Sequence, residues 1–141
     1  MAYRIWLFIA GLVAVTALAA AAYGAHQLNR YALIPIVAKA FDIAQLYHMA
    51  HALALFGLAI LFAATDGRRN AWSGLMLSLA GIGFIAGIVL FSGGIYYQVV
   101  YETKLPPRVI PTGGVAFMTG WAALALSSFG FRSARRPYPS R

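Results

Sequence analysis

The 141-residue sequence has no cysteine and little charge, with 11 Lys and Arg and only 3 Asp and Glu, together 10% of the chain. The missing cysteines exclude a disulfide framework, thiolate metal sites and a cysteine nucleophile. A soluble domain usually carries roughly 25% charged residues and about half apolar ones, whereas 62% of this chain is hydrophobic. Too little polar surface remains to cover a water-facing globule, so the composition is that of a membrane protein. The formal net charge of +8 does not point to nucleic acid, because recognition there needs basic side chains gathered on a folded polar face.

Four long apolar runs are present instead, over residues 5–23, 43–64, 71–97 and 112–131. Each meets the roughly 20-residue requirement of a transmembrane helix. No charged residue lies inside any of them, which matters because a charge at the bilayer centre costs about 3 kcal/mol even on insertion scales. The sequence therefore predicts an all-α membrane protein, a single four-helix bundle over 1–141. The first run, after Arg4 and ending near Ala19 to Ala22, also resembles a secretory signal peptide. It is read here as a retained helix.

Orientation follows from the loops. Arg4, Arg68, Arg69, Arg132, Arg135, Arg136 and Arg141 fall on one side, while Arg30, Lys39, Lys104 and Arg108 fall on the other. The positive-inside rule then places both termini in the cytoplasm, in the inner membrane of a bacterium or facing the matrix in a mitochondrion. Trp6 and Trp72 fall at the inner interface, and Tyr23, Tyr96, Tyr97 and Tyr101 at the outer one, as aromatic belts require. Asp66-Gly67 marks a tight turn at 65–70, making the second and third helices antiparallel neighbours. Residues 24–42 mix apolar Tyr31, Leu33, Ile34, Ile36, Val37 and Phe41 with Arg30, Lys39 and Asp42, and Pro35 interrupts them. That pattern suits an interfacial segment over the outer mouth. Leu105-Pro106-Pro107-Arg108 is a stiff turn, and the basic tail 132–141 suits anionic lipid or a partner.

Small residues recur where helices would touch: Gly83 and Gly87, Gly74 and Ser78, Thr112, Ala116 and Gly120, Ala10 and Ala14. In lipid, association depends on such close approach. They support a compact bundle, without specifying a dimer.

Two histidines interrupt the second run. His48 and His51 are three residues apart and share a helical face, with Tyr47 four before His51. An imidazole inside a span must find a partner and is a site by default. Together with His26, Ser92, Tyr96 and nearby glycines they fall in the outer half of the bundle. Three readings compete: hydrogen bonds between helices, ligation of haem or a metal, and a proton or ion path. The i, i+3 spacing and the absence of any carboxylate in a span weigh against a metal, and a proton path usually shows that carboxylate. No Ser-His-Asp arrangement, phosphate-cradling loop or HExxH motif is present, so no catalytic residue is assigned. Ser92-Gly93-Gly94 is a small-residue break near a helix end.

Tyr23-Gly24-Ala25-His26, Tyr47-His48-Met49-Ala50-His51, Leu90-Phe91-Ser92-Gly93-Gly94-Ile95-Tyr96-Tyr97 and Pro111-Thr112-Gly113-Gly114 followed by Gly120-Trp121 resemble the YgdD and transmembrane protein 256 family, labelled domain of unknown function 423. The resemblance covers nearly all of the chain except the tail. It implies a small multi-pass protein of bacterial or mitochondrial inner membranes, with histidine typical at the positions of His26 and His51 and variable at that of His48. It supplies no substrate.

The expectation is a non-enzymatic accessory or stabilising subunit of a larger membrane complex, in contact with lipids and with other subunits or copies of itself, without a cofactor. The alternative is a binding protein for a haem, quinone, metal or lipid head group at His26, Tyr47, His48, His51, Ser92 and Tyr96.

Overall fold

The computed structural model describes residues 2–27 and 35–131. Among these residues five α-helices follow one another: α1 Ala2–Gln27, α2 Pro35–Ala64, α3 Ala71–Gly87, α4 Gly93–Tyr101 and α5 Val109–Ser127. A π-helical turn, Ile88–Ser92, joins α3 to α4 without a break, and a 3-10 turn, Ser128–Gly130, ends α5. The result is four rods, each long and apolar enough to cross a membrane: Ala2–Gln27, Pro35–Ala64, Ala71–Tyr101 and Val109–Gly130. The expected all-helical, four-span architecture is the one the chain adopts. Its prolines respect the helices, because Pro35 opens α2 and Pro111 sits in the first turn of α5, where a missing N–H costs nothing.

The boundaries differ from the expected ones at one end. Pro35 starts a helix instead of interrupting a segment, and Ile36 to Asp42 run on directly into the second span. At 1.5 Å per residue the 30 residues of α2 are about 45 Å long, more than the roughly 30 Å hydrocarbon core. The rod is therefore longer than the core, and Lys39 and Asp42 lie in its first turns. The rest of the expected interfacial segment, with Arg30, Tyr31, Leu33 and Ile34, and the basic tail 132–141 lie outside the described residues. Ser92-Gly93-Gly94 is likewise no break: the rod stays helical to Tyr101.

The rods pack mainly as two pairs, α1 with α2 and α3 with α5. Missing side chains make the second seam. A Cβ on Gly83 would meet the Ala116 carbonyl oxygen and the Gly120 Cα at 2.9 Å, and one on Gly120 would meet the Ala80 carbonyl at 3.1 Å. Gly87 leaves room for the Phe117 ring, and Gly113 for the backbone at Leu90 and Phe91. The small residues noted at 83, 87, 116 and 120 thus face one another within the chain, as close backbone approach in lipid requires. Gly74 faces open space, and the Ser78 hydroxyl donates to the Gly74 carbonyl at 2.9 Å; this pair is not at the seam. On α1, Ala10 and Ala17 are the buried positions.

Leu55, Leu58 and Phe62 of α2 meet Leu77 and Phe84 of α3 and Phe117 of α5 in one core. Phe8, Leu12, Val15, Leu53, Val89 and Met118 point outward, the arrangement a lipid-facing bundle needs. The tight turn after α2 forms as expected, around Gly67 at φ 72°. Arg69 holds it: its guanidinium donates to the Phe62 carbonyl, to Thr65 Oγ1 at 3.1 Å and to Asp66 at 3.2 Å, so a cation closes the negative end of α2. Asn70 then caps α3, accepting from the Ser73 N–H at 2.9 Å, while its own N–H donates to the Gly130 carbonyl at 3.3 Å. One end of the bundle is thereby tied across α2, α3 and α5.

Candidate functional site

His48 and His51 are both 5% exposed but face different neighbours. His51 looks toward α3 and α5. The Trp121 indole N–H donates to its Nε2 at 3.1 Å, and its Nδ1 lies 2.8 Å from the Tyr47 carbonyl. An indole N–H only donates and a carbonyl only accepts, so Nε2 is bare and Nδ1 carries the hydrogen. The ring is uncharged and both nitrogens are spent. Phe117 stacks on it with centroids 3.6 Å apart, and Phe84, Tyr47 and Trp121 complete an aromatic box at 5.4, 6.0 and 6.1 Å.

His48 looks toward α1 and α4. Thr16 donates its hydroxyl hydrogen to the Val13 carbonyl at 2.8 Å, which leaves Oγ1 to accept from His48 Nε2 at 3.4 Å. The Tyr96 hydroxyl then donates to Nδ1, also at 3.4 Å. Hydrogen bonds of that length lie beyond the usual 2.7–3.2 Å range and are weak. The two imidazoles therefore have opposite tautomers and unequal anchorage.

The remaining expected residues separate. Ser92 touches neither histidine; it is fully buried and donates to the Ala44 carbonyl of α2 at 2.9 Å, fastening the π turn to α2. Tyr96 also packs on Phe41, centroids 4.9 Å apart. His26 is exposed near the end of α1. It lies ten residues beyond Thr16, about 15 Å along the helix, and so does not join His48. The structure brings together Tyr47 with His51, and Tyr96 with His48, in two sites instead of one.

Sequence reasoning missed Thr16, Gln45, Phe84, Phe117 and Trp121. Gln45 lies on α2 three residues before His48 and donates to the Ala17 carbonyl of α1 at 2.9 Å, while its buried Oε1 has no partner among the described residues. A signal existed for three of them. Thr16 is the one aliphatic hydroxyl in an otherwise apolar first run, and Phe117 and Trp121 stand four apart on one helical stripe.

Each histidine borders a crevice. The one beside His51 has a volume of about 350 Å³, opens between α2 and α5, and is walled by Tyr47, Phe91, Val115, Met118 and Trp121. The one beside His48, about 360 Å³, lies between Leu12, Thr16, Ile85, Val89 and Tyr96. Among the described residues no group of three or more His, Asp or Glu side chains is placed to hold a metal ion.

Comparison with known proteins places this chain in a family. The family model described as protein of unknown function (DUF423) matches residues 20–114. YwdK of Bacillus subtilis, a UPF0382 membrane protein, is 31% identical over 89% of this chain and 96% of its own length. The UPF0382 inner membrane protein YgdD of Escherichia coli is 30% identical over 91% of this chain and 92% of its own. A UPF0382 membrane protein of Staphylococcus aureus is 30% identical over 91% and 98%. No solved structure matches significantly. With the resemblance read from the motifs thus matched by a family model and by full-length relatives, the chain belongs to the DUF423 family and is a multi-pass membrane protein.

Proposed function

We propose that this chain is a non-enzymatic accessory or stabilising subunit of a larger assembly in the bacterial inner membrane, with both termini cytoplasmic. One observation carries the reading: both nitrogens of His51, the imidazole beside the cleft between α2 and α5, are consumed inside the chain, while that cleft stays open sideways. His51 spends both nitrogens on Trp121 and Tyr47, so it leaves no free imidazole nitrogen aimed at the crevice. Tyr47, Val115, Met118 and Trp121 meanwhile stay exposed along its walls. A subunit needs a shaped, rigid lateral surface of this kind more than it needs reactive groups. The name of the relative YgdD, an inner membrane protein, supports the location.

Purification in mild detergent followed by native mass spectrometry tests the role. A stoichiometric membrane-protein partner is expected, lost when Val115→Trp fills the cleft. Recovery of a lone monomer, with every membrane complex unchanged on deletion of the gene, refutes it.

The aromatic walls beside His51 favour one second reading, a flat amphiphile such as a quinone seated in the crevice. About 350 Å³ is near the lower limit of ligand pockets, roughly 300–1,000 Å³. Haem ligation finds less support, because it needs a free ring nitrogen and His51 offers none. Solvent extraction of the purified protein decides: a quinone in molar proportion supports this reading, and its absence removes it.

A further inference from the structure

A larger cavity lies away from both histidines, at the end of the bundle opposite the Thr65 to Asn70 turn. It holds about 780 Å³ between the first turns of α2, the length of α4 and the start of α5. Its walls are graded along α4. Ile36, Val37 and Ala40 of α2, Ile95 and Val99 of α4 and Ile110 of α5 supply the apolar lining, while Gln98, Glu102, Thr103 and Lys104 supply polar groups. Along α4 the lining runs from Ile95 and Val99 to Glu102 at the helix end. That is seven residues, about 10 Å at 1.5 Å each, from apolar to polar. Thr103 and Lys104 continue past the helix end.

We infer that this cavity is a binding site for one glycerophospholipid, with an acyl chain between α2, α4 and α5 and its phosphate at Lys104. Along α4 the grading has the sense of a lipid standing in the bilayer, tail toward the middle of that helix and head beyond its end. Charge fits as well. Lys39, Lys104 and Arg108 stand at this end of the bundle against Asp42 and Glu102, and no ion pair joins Lys104 to another described residue. A phosphate is the anionic group that every glycerophospholipid carries at that depth, and a lysine beside a lipid surface gains about 1 kcal/mol from it. A partner helix does not suit the space, because α2, α4 and α5 wall it on three sides and the apolar stretch is only two turns long.

The site rests on different residues from the proposed subunit role, so either can fail alone. The test uses the full chain in detergent, stripped of lipid and then titrated with phosphatidylglycerol or with diacylglycerol of the same chains, and read by native mass spectrometry. One phosphatidylglycerol per chain is expected to survive activation, with diacylglycerol at least fivefold weaker. Lys104→Ala should weaken phosphatidylglycerol by about fivefold, and Val99→Trp, which fills the cavity, should abolish the bound species. If Val99→Trp does not fold, Ala40→Leu fills the same space from the opposite wall. Equal retention of the two lipids, or retention by Lys104→Ala and the filled variant as in the parent, overturns the assignment.

Discussion

At the scale of single residues, two histidines on one helix turn differ in how firmly they are held. The Trp121 to His51 bond, at 3.1 Å inside an aromatic box, should contribute near the upper part of the range for hydrogen bonds within membranes, about 0.6 kcal/mol on average and up to roughly 1.7. Trp121→Phe keeps most of the ring packing but removes the donor, so a loss of about 1 kcal/mol is expected. Combining it with His51→Phe in a double-mutant cycle should return a coupling of similar size, measured by unfolding in mixed detergent and SDS micelles. Additive effects of the two changes would show that the bond is energetically idle. At His48 both contacts are 3.4 Å, and Tyr96→Phe should cost only a few tenths of a kcal/mol. An inversion of that order would mean that the His48 contacts are tighter in the membrane. The sequence announced both imidazoles but not their separation, because three helical residues place side chains about 60° apart. That angle is enough to send one toward α1 and the other toward α5.

At the scale of elements, the seam between α3 and α5 depends on glycines whose neighbours are backbone. A side chain at Gly83 meets the Ala116 carbonyl and the Gly120 Cα at 2.9 Å, and neither can swing aside. Gly83→Val should therefore push the two helices apart and cost about 1–3 kcal/mol, the usual penalty of overpacking. Gly74→Ala, where the added methyl meets nothing within 4 Å, should be neutral or slightly stabilising through helix propensity. Thermal unfolding of both variants in one detergent checks this, and equal effects would refute the seam. The repeated small residues were legible in the sequence, whereas their partners were not, since a spacing of four shows that a face is smooth without showing what lies on it. The π turn was legible even less. Ser92-Gly93-Gly94 carries the residues of a break, yet the Ser92 bond to the Ala44 carbonyl comes from 48 positions away in the chain. Such a long-range contact holds the rod together with one extra residue in the turn, and no local pattern announces it.

At the scale of the whole molecule, the number of spans followed from length and apolarity alone, because backbone groups in lipid must be paired within helices whatever the tertiary contacts. The end of the bundle was harder to read, since Lys39 and Asp42 look like a boundary but lie within a helix that does not stop there. The proposed sidedness rests on charge asymmetry alone, which under the positive-inside rule would put the positive residues of the 65–70 turn on the cytoplasmic side and Lys104 on the other. The absence of native cysteine makes this directly measurable, because one introduced thiol is the only reactive one. Asp66→Cys, at an exposed turn position, should resist a membrane-impermeant maleimide in intact cells and react only after the membrane is opened. Thr103→Cys, exposed beyond α4, should react at once. The opposite pattern would place both termini outside, moving the cavity at Lys104 to the cytoplasmic leaflet. The phospholipid proposed there would then come from that leaflet, while its binding geometry and the Lys104→Ala result would be unchanged.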